Sequence, residues 1–205
     1  FIHNVGNGPD DVRLDLALEP GWNVQGPASL LLVGRELRPG NLTISVPADE
    51  LSGDFACSLL VRSTGGKVLR QNFTVRVLQV FAVAATPAPR REVIYPGETI
   101  EICISVTNLG NGNDSFNVLP EGLPDSLSVS TIGGPVPLNA RATAGTSVRL
   151  VTSRATMPGE TMLSFRAVSH MSAVTINYTN IILVVLPIPS VPRSQRDNVL
   201  FASDP

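Results

Sequence analysis

The heptad Asn4-Val5-Gly6-Asn7-Gly8-Pro9-Asp10 returns later in the chain as Asn108-Leu109-Gly110-Asn111-Gly112-Asn113-Asp114. The two copies begin 104 residues apart (108 − 4 = 104), which indicates that the chain is built from two similar structural units. Glycine and asparagine tolerate a positive φ, and an Asn or Asp side chain can close a turn on its own backbone. Each heptad is therefore predicted to be a tight turn.

Alternating apolar residues flank the second heptad. Ile100, Ile102 and Ile104 alternate with polar or small residues before it, and the alternation resumes at Phe116 and Val118 behind it. This period of two is typical of a half-buried β-strand. We therefore expect the heptad to connect two antiparallel strands, as the turn of a β-hairpin does.

An ion-binding loop is the alternative interpretation of the heptads. Oxygen-bearing side chains are frequent in both copies, namely Asn7, Asp10 and Asp11 in the first and Asn111, Asn113 and Asp114 in the second. Their spacing fits no recognised cation-binding loop. A structural turn is the preferred interpretation, so no metal ligand and no cofactor site is predicted.

The composition favours an all-β chain outside the nucleic-acid-binding and membrane-spanning classes. Among 205 residues, 16% are charged and the net charge is −2, whereas nucleic-acid-binding domains usually carry a basic face. No apolar stretch reaches the ~18 residues that a membrane-spanning helix needs. The 17 Gly and 17 Pro residues punctuate short Val-, Thr- and Ser-rich segments, a pattern typical of strands and turns.

The strand pattern predicts two tandem immunoglobulin-like β-sandwich domains, because each unit holds roughly seven short strands separated by frequent turns. The first, residues 1–78, is expected to lack its first strands, since three residues precede its heptad. The second, residues 79–186, is expected to be complete. Residues 187–205 are expected to form an extended tail resembling the opening strands of a third unit. The predicted core residues are Leu16, Trp22, Phe55, Leu59, Phe73, Val75, Ile102, Ile104, Phe116, Phe165 and Tyr178.

Neither the histidines nor the cysteines form a catalytic pattern. His3 and His170 lie in different units without acidic, Cys or His neighbours at ligand spacing, and no nucleophile motif is present. Cys57 alternates with apolar residues and should face a core, whereas Cys103 shares the polar face of its strand, so a disulfide is not expected. The chain is therefore predicted to have no catalytic residues.

Four Asn-x-Ser/Thr sequons are candidate glycosylation sites, and they start at Asn41, Asn72, Asn113 and Asn177. Asn72 and Asn177 are 105 residues apart (177 − 72 = 105), and alternation places both on the polar face of what are read as matching strands. If the protein passes through a glycosylating export pathway, these two are expected to carry N-linked glycans. The other interpretation is a Thr- and Asn-rich solvent face.

The two units are joined without a flexible linker. Val75 and Val77 run directly into Val80 and Phe81, with no Gly/Ser-rich segment between them. We therefore expect the units to stack stiffly, with an interface centred on Leu78, Val80, Phe81 and the second heptad.

The end of the chain repeats the beginning of the second unit. Two apolar runs are expected to act as an intersubunit strand region: Val184, Val185 and Leu186, then Val199, Leu200 and Phe201. They would pack on the first unit of a neighbouring copy, head to tail, because an unpaired sheet edge attracts another strand. Strand donation between separate chains and one long covalent array both remain open.

Three further segments accompany the first heptad in order: Glu19-Pro20-Gly21-Trp22-Asn23-Val24, Leu37-Arg38-Pro39-Gly40 and Gly53-Asp54-Phe55. Together they resemble the NEW3/CARDB-type immunoglobulin-like repeats of bacterial and archaeal cell-surface and secreted proteins. The second unit is similar, although its Pro-Gly-Trp step is degraded. The resemblance implies an extracellular, cell-surface structural module of a filament, stalk or surface layer. The alternative it implies is a carbohydrate-binding or adhesion module that accompanies a secreted enzyme.

Overall fold

The computed structural model describes residues 1–132 and 134–189, and in these ranges the chain is all-β, as predicted, with no helix of any length. No helix there is long and apolar enough to cross a lipid bilayer. The strands are β1 (Ile2–His3), β2 (Asp10–Ala17), β3 (Asn23–Gln25), β4 (Ser29–Leu32), β5 (Leu37–Arg38), β6 (Thr43–Ser45), β7 (Gly53–Ser63), β8 (Val68–Val77), β9 (Val83–Ala88), β10 (Arg91–Ile94), β11 (Thr99–Asn108), β12 (Asp114–Glu121), β13 (Leu127–Ile132), β14 (Val136–Leu138), β15 (Thr143–Thr152), β16 (Gly159–Ser169) and β17 (Ile176–Val185).

Strands β9 to β17 form two sheets, which we call the C-terminal half. One sheet has the order β13-β15-β11-β9 and the other the order β10-β17-β16-β12-β14. All the pairings are antiparallel except β10 with β17, which is parallel. Both sheets contribute to one hydrophobic core, whose most buried side chains are Ile102, Ile104, Val106, Val148, Leu150, Phe116, Leu163, Phe165, Ile181 and Leu183.

Strands β1 to β8 form the N-terminal half. Its main sheet has the order β4-β2-β7-β8, and two short pairs, β1-β5 and β3-β6, accompany it. The hairpins β7-β8 and β16-β17 match, because Gly53 pairs with Val77 as Gly159 pairs with Val185. In the described residues, the N-terminal half has no strands equivalent to β9 and β10. Its apolar face is consequently less covered than that of the C-terminal half.

The two halves differ in how far they bury the predicted core residues. Ile102, Ile104, Phe116 and Phe165 are buried, as predicted. Five predicted core residues of the N-terminal half are only partly buried, because fewer strands cover that sheet, and they are Leu16, Phe55, Leu59, Phe73 and Val75. Trp22 is buried, with its ring centroid 5.1 Å from that of Phe55.

Two strand assignments from the sequence are wrong. The strands that flank the second heptad, β11 and β12, lie in different sheets, so this turn crosses between sheets and is no hairpin. Tyr178 is 57% exposed, whereas Thr179, Ile181 and Leu183 point inward. The connection before β17, residues 170–175, is two residues longer than residues 64–67 before β8, which moves the offset between the halves from 106 to 108.

Candidate functional site

The first heptad is a turn closed by the side chain of Asn4. Its Nδ2 donates to the carbonyl oxygens of Gly8 at 2.8 Å, Leu32 at 3.3 Å and Val33 at 3.0 Å. Its Oδ1 accepts a hydrogen bond from Gly6 N at 2.9 Å. One amide side chain therefore fixes both the turn and the strand end that lies beside it.

The second heptad repeats this arrangement around Asn108. Its Nδ2 donates to the carbonyl oxygens of Gly112 at 2.8 Å, Leu138 at 3.3 Å and Asn139 at 3.1 Å, and its Oδ1 accepts from Gly110 N at 2.9 Å. Asn108 is 1% exposed, and its bonds to Gly112, Leu138 and Gly110 are buried, while the bond to Asn139 O is partly buried. Buried polar groups with this many partners are structural elements.

The aspartate at the end of each heptad is held by hydroxyl groups. Asp10 accepts from Ser63 Oγ at 2.5 Å and from Thr64 Oγ1 at 2.8 Å. Asp114 accepts from Ser169 Oγ at 2.6 Å. Among the described residues, no group of three or more His, Cys, Asp or Glu side chains is placed to hold a metal ion. The geometry of the heptads is that of structural turns.

The hydroxyl bonds at Asp10 give a pH-dependent prediction. Hydrogen bonds from Ser63 and Thr64 lower the pKa of Asp10 below its ordinary value. A carboxylate with a lowered folded-state pKa contributes stability above its unfolded pKa, and this contribution is lost as the pH falls through the folded value. When the pH is lowered from 7 to acidic values, we expect the free energy of unfolding, measured by urea titration, to fall less for Asp10→Asn than for the wild type. Asp11→Asn is the matched control, and an equal response of both variants would contradict the assignment.

The second heptad also joins the two halves through Asn111. Its Nδ2 donates to the carbonyl oxygens of Glu50 at 3.2 Å and Leu78 at 3.1 Å, and its Oδ1 accepts from Val80 N at 2.7 Å. Its carbonyl oxygen accepts from Ser52 N at 2.8 Å, and its own N–H donates to Val80 O at 3.3 Å. Asn111 therefore ties the loop before β7 and the exit of β8 to the C-terminal half.

Glycines on either side of Asn111 allow this close approach. A Cβ on Gly110 would lie 2.4 Å from Val80 O, and a Cβ on Gly112 would lie 2.5 Å from Ser52 Oγ. Arg141 adds a bond across the junction, from its Nη2 to Asp49 O at 2.8 Å. At Gly110, where the neighbour is the backbone oxygen of Val80, only glycine allows this close approach.

Of the predicted interface residues, Leu78, Val80 and the second heptad lie at this junction. Leu78 and Val80 take part through backbone groups, while their side chains are 73% and 62% exposed. The junction is a hydrogen-bonded contact and is not built on apolar packing of these two side chains. The second heptad was expected at the interface without a role for Asn111 in particular, and Arg141 was not predicted at all. The signal for Arg141 is its counterpart Arg35, 106 residues earlier (141 − 35 = 106), since both have a φ of 62°.

The uncovered face of the N-terminal half forms an apolar groove of about 830 Å³. Its lining includes Ile2, Val12, Leu32, Leu59 and Val61. In the C-terminal half, β9 covers the corresponding face, and Ala85 N donates to Asn177 Oδ1 at 3.1 Å.

The four sequon asparagines differ in their surroundings. Asn41, Asn72 and Asn113 are exposed, whereas Asn177 is partly buried on the inward side of β17, so its predicted outward position is wrong. The counterpart of Asn72 is Asn180, because the pair Ser58–Asn72 matches the pair Ser164–Asn180. The argument from matching positions therefore fails, and N-glycosylation stays a prediction.

The proposed intersubunit strand also needs a correction. Val184 and Val185 pair with β16 on one side and with β10 on the other, and Leu186 N donates to Ile94 O at 2.9 Å. Their backbone groups are used inside the C-terminal half, so these three residues are not free to extend a sheet of another copy. Val199, Leu200 and Phe201 lie outside the described residues.

Comparison with known proteins gives only distant structural similarity. No family model matches the chain, and no curated protein matches it. A family 123 glycoside hydrolase from Clostridium perfringens is similar over 52% of this chain and 28% of its own length, at 9% identity and a TM-score of 0.42. The PapD-like domain 7 of human CEP192 matches 52% of this chain and 87% of its own length, at 11% identity and a TM-score of 0.36. The CupB2 chaperone from Pseudomonas aeruginosa matches 88% of this chain and 89% of its own length, at 10% identity and a TM-score of 0.26.

Proposed function

We propose that this chain is a non-enzymatic structural module of the cell surface, which serves as a spacer in a filament, stalk or surface layer. In this proposal, residues 1–78 and 79–186 are two tandem immunoglobulin-like β-sandwich domains that stack head to tail. Copies of the same module and N-linked glycans are its partners. The resemblance of the turn motifs to extracellular repeats supports the location outside the cell.

The equivalent asparagine turns support the tandem arrangement. Asn4 and Asn108 make the same four hydrogen bonds at positions offset by 104 or 106 residues. The β7-β8 and β16-β17 hairpins also share their pairing register. Two copies of one unit in sequence are typical of a module that provides length and spacing.

The observation that carries the proposal is the junction at Asn111. A spacer must hold its units in one orientation, and free units joined by a short linker would tilt relative to one another. The Asn111 side chain contributes two hydrogen bonds across the junction, to the carbonyl oxygens of Glu50 and Leu78, and a third to Val80 in the connection. At roughly 0.5–1.5 kcal/mol each, the two bonds across the junction stabilise one orientation by about 1–3 kcal/mol.

Small-angle scattering of the wild type and of Asn111→Ala tests this function. We expect a single inter-half orientation to fit the wild-type curve and a broad distribution of orientations to be needed for Asn111→Ala. Asn23→Ala is the control, because Asn23 is exposed on β3 and makes no bond at this junction. A wild-type curve that itself requires a broad distribution would remove the proposal.

The second candidate function is a carbohydrate-binding or adhesion module that accompanies a secreted enzyme. It gains support from Tyr178, which is 57% exposed on the outer face of β17 and pairs with Arg166 on β16. Ile182 and Met162 pair further along the same face and are 39% and 67% exposed. Exposed aromatic rings are the usual platforms for amphipathic ligands. Binding on a polysaccharide array that disappears in Tyr178→Ala would favour this function over the spacer.

A further inference from the structure

We infer that Gly6, Asn7, Gly8 and Arg35, which we call the Asn7 face, form a docking site for the end of the C-terminal half of a second copy of this chain. This inference rests on the proposed stacking function and names the surfaces that would meet. Its basis is that the counterparts of these residues already form such a junction inside the chain. The counterparts are Gly110, Asn111, Gly112 and Arg141.

The Asn7 face is closed by the same asparagine turn as its counterpart, although the bond from Arg35 N to Gly6 O has no equivalent between Arg141 and Gly110 in the described residues. Asn4 fixes the turn with the same four hydrogen bonds that Asn108 makes in the second copy. Arg35 and Arg141 share a φ of 62°, which is rare for a residue other than glycine. Arg35 N donates to Gly6 O at 3.0 Å, which places this arginine beside the turn.

Gly8 shows that the face is built for a close neighbour. A Cβ on Gly8 would meet nothing within 4 Å, and its φ is not in the left-handed region, so no described residue requires glycine here. At the counterpart position, the side chains of Ser52 and Gln79 lie against Gly112, at 2.5 Å and 2.6 Å from where a Cβ would stand. Glycine loses more conformational entropy on folding than other residues do. A glycine at this position is explained if a partner approaches Gly8 as closely as Ser52 and Gln79 approach Gly112.

The polar side chains of the Asn7 face also have no partner within the described part of the chain. Among the described residues, the side chains of Asn7 and Arg35 have no hydrogen-bond or ion-pair partner. Asn111 and Arg141, in contrast, bind the carbonyl oxygens of Glu50, Leu78 and Asp49. The Asn7 face therefore presents the donors of the inner junction without its acceptors.

The matching acceptors lie at the end of the C-terminal half. Thr156 N donates to Ser153 O at 3.1 Å, as Glu50 N donates to Pro47 O at 3.1 Å, so the two loops share one turn. By the offset of 106, the oxygens of Ala155 and Thr156 stand where those of Asp49 and Glu50 stand.

The last strand of the C-terminal half completes this surface. By the offset of 108, Leu186 O and Ile188 N stand where Leu78 O and Val80 N stand. Pro158 replaces Ser52 and lacks an N–H group, so one hydrogen bond of the inner junction is missing. The contact between copies is therefore weaker than the junction inside one chain, and it is expected to form at high concentration.

Exposed apolar side chains lie on both surfaces. At the end of the C-terminal half, Met157 is 84% and Ile188 63% exposed. At the receiving end, Phe1 is 89% and Val5 70% exposed. Protein–protein contacts combine apolar side chains with direct hydrogen bonds. The face on one end and its acceptors on the other give a heterologous contact, which extends into a linear assembly.

Sedimentation equilibrium of the full chain over the widest concentration range that solubility allows tests the inference. We expect the average mass of the wild type to rise continuously with concentration. Gly8→Ala should fold as the wild type does, because the added methyl group meets open space, yet its association should weaken by about tenfold or more through a clash at the docked surface. Asn7→Ala should weaken association by about tenfold, and Asn23→Ala, an exposed asparagine on β3, should leave it unchanged.

Ile188→Pro tests the opposite surface. Proline lacks the N–H group that would donate to Asn7 Oδ1, so this variant should also associate more weakly. A wild type that stays monomeric at every concentration would overturn the inference, and so would association that neither Gly8→Ala nor Asn7→Ala weakens. A monomeric chain that still holds one inter-half orientation leaves the spacer function in place. If the orientation between the two halves varies freely, the spacer function itself is contradicted.

Discussion

Replacing Asn108 with alanine is expected to lower the free energy of unfolding of the C-terminal half by about 3–5 kcal/mol. Asn108 is 1% exposed, and its loss removes one hydrogen-bond partner from three carbonyl oxygens and one N–H group, of which all but Asn139 O are in buried bonds. A buried polar group without a partner costs roughly 1–3 kcal/mol, and several such groups share one site here. Urea titration followed by far-UV circular dichroism measures the loss.

Asn4→Ala is the matched control for this prediction. It removes the same four hydrogen bonds, but Asn4 is partly exposed, so water can replace them. We expect a loss of about 1 kcal/mol. Trp22, the one tryptophan, reports on the N-terminal half by fluorescence, which assigns each loss to a half. Equal losses in both variants would show that burial does not set the strength of the turn.

The second large effect is expected for Leu163→Ala in β16. Leu163 is 1% exposed in the core between the two sheets of the C-terminal half, and truncating a fully buried leucine costs about 3–4 kcal/mol through lost burial and the cavity left behind. The same urea titration gives the change in the free energy of unfolding.

Leu59→Ala is its control, on the corresponding strand β7 of the N-terminal half. Leu59 is partly buried and lines the open groove, so its truncation creates no closed cavity and should cost about 1 kcal/mol. Similar losses for the two leucines would mean that the groove is covered in solution.

The turns of this chain could be predicted from sequence because their chemistry is local. Asn4 and Asn108 bind groups within their own heptads, and glycine and asparagine at fixed positions indicate such turns directly. The alternation of Ile102 and Ile104 predicted their burial correctly, since one strand face determines it.

The pairing of strands could not be predicted in the same way. Alternation shows which face of a strand is buried, but the sheet to which the next strand belongs depends on distant partners, as β11 and β12 show. In β17, residues 181–185 are all apolar, so the sequence does not decide which face is inward. The two additional residues before β17 then placed Tyr178 outside.

The junction residues depend on distant contacts as well. Asn111 meets Glu50, which lies 61 residues earlier, and no local pattern specifies that approach. The repeat predicted that both heptads are structural turns. It did not predict that the second heptad binds the N-terminal half while the first makes no such contact. The different exposure of Leu59 and Phe165 has the same origin, because neighbouring strands decide it.

The parallel pairing of β10 with β17 determines how the C-terminal half responds to mechanical force. β9 precedes β10 and pairs with β11, so a pull on the two ends of this half loads β9 first. Once β9 is released, the pull draws β10 and β17 in opposite directions along one axis. The ladder from Arg91–Ile182 to Ile94–Val185 is then loaded in shear, and its hydrogen bonds must break together. β8, the last strand of the N-terminal half, pairs only with β7 and is antiparallel to it in the described residues, so tension peels it away one bond at a time. We therefore expect that, under a steady load, the N-terminal half unfolds before the C-terminal half.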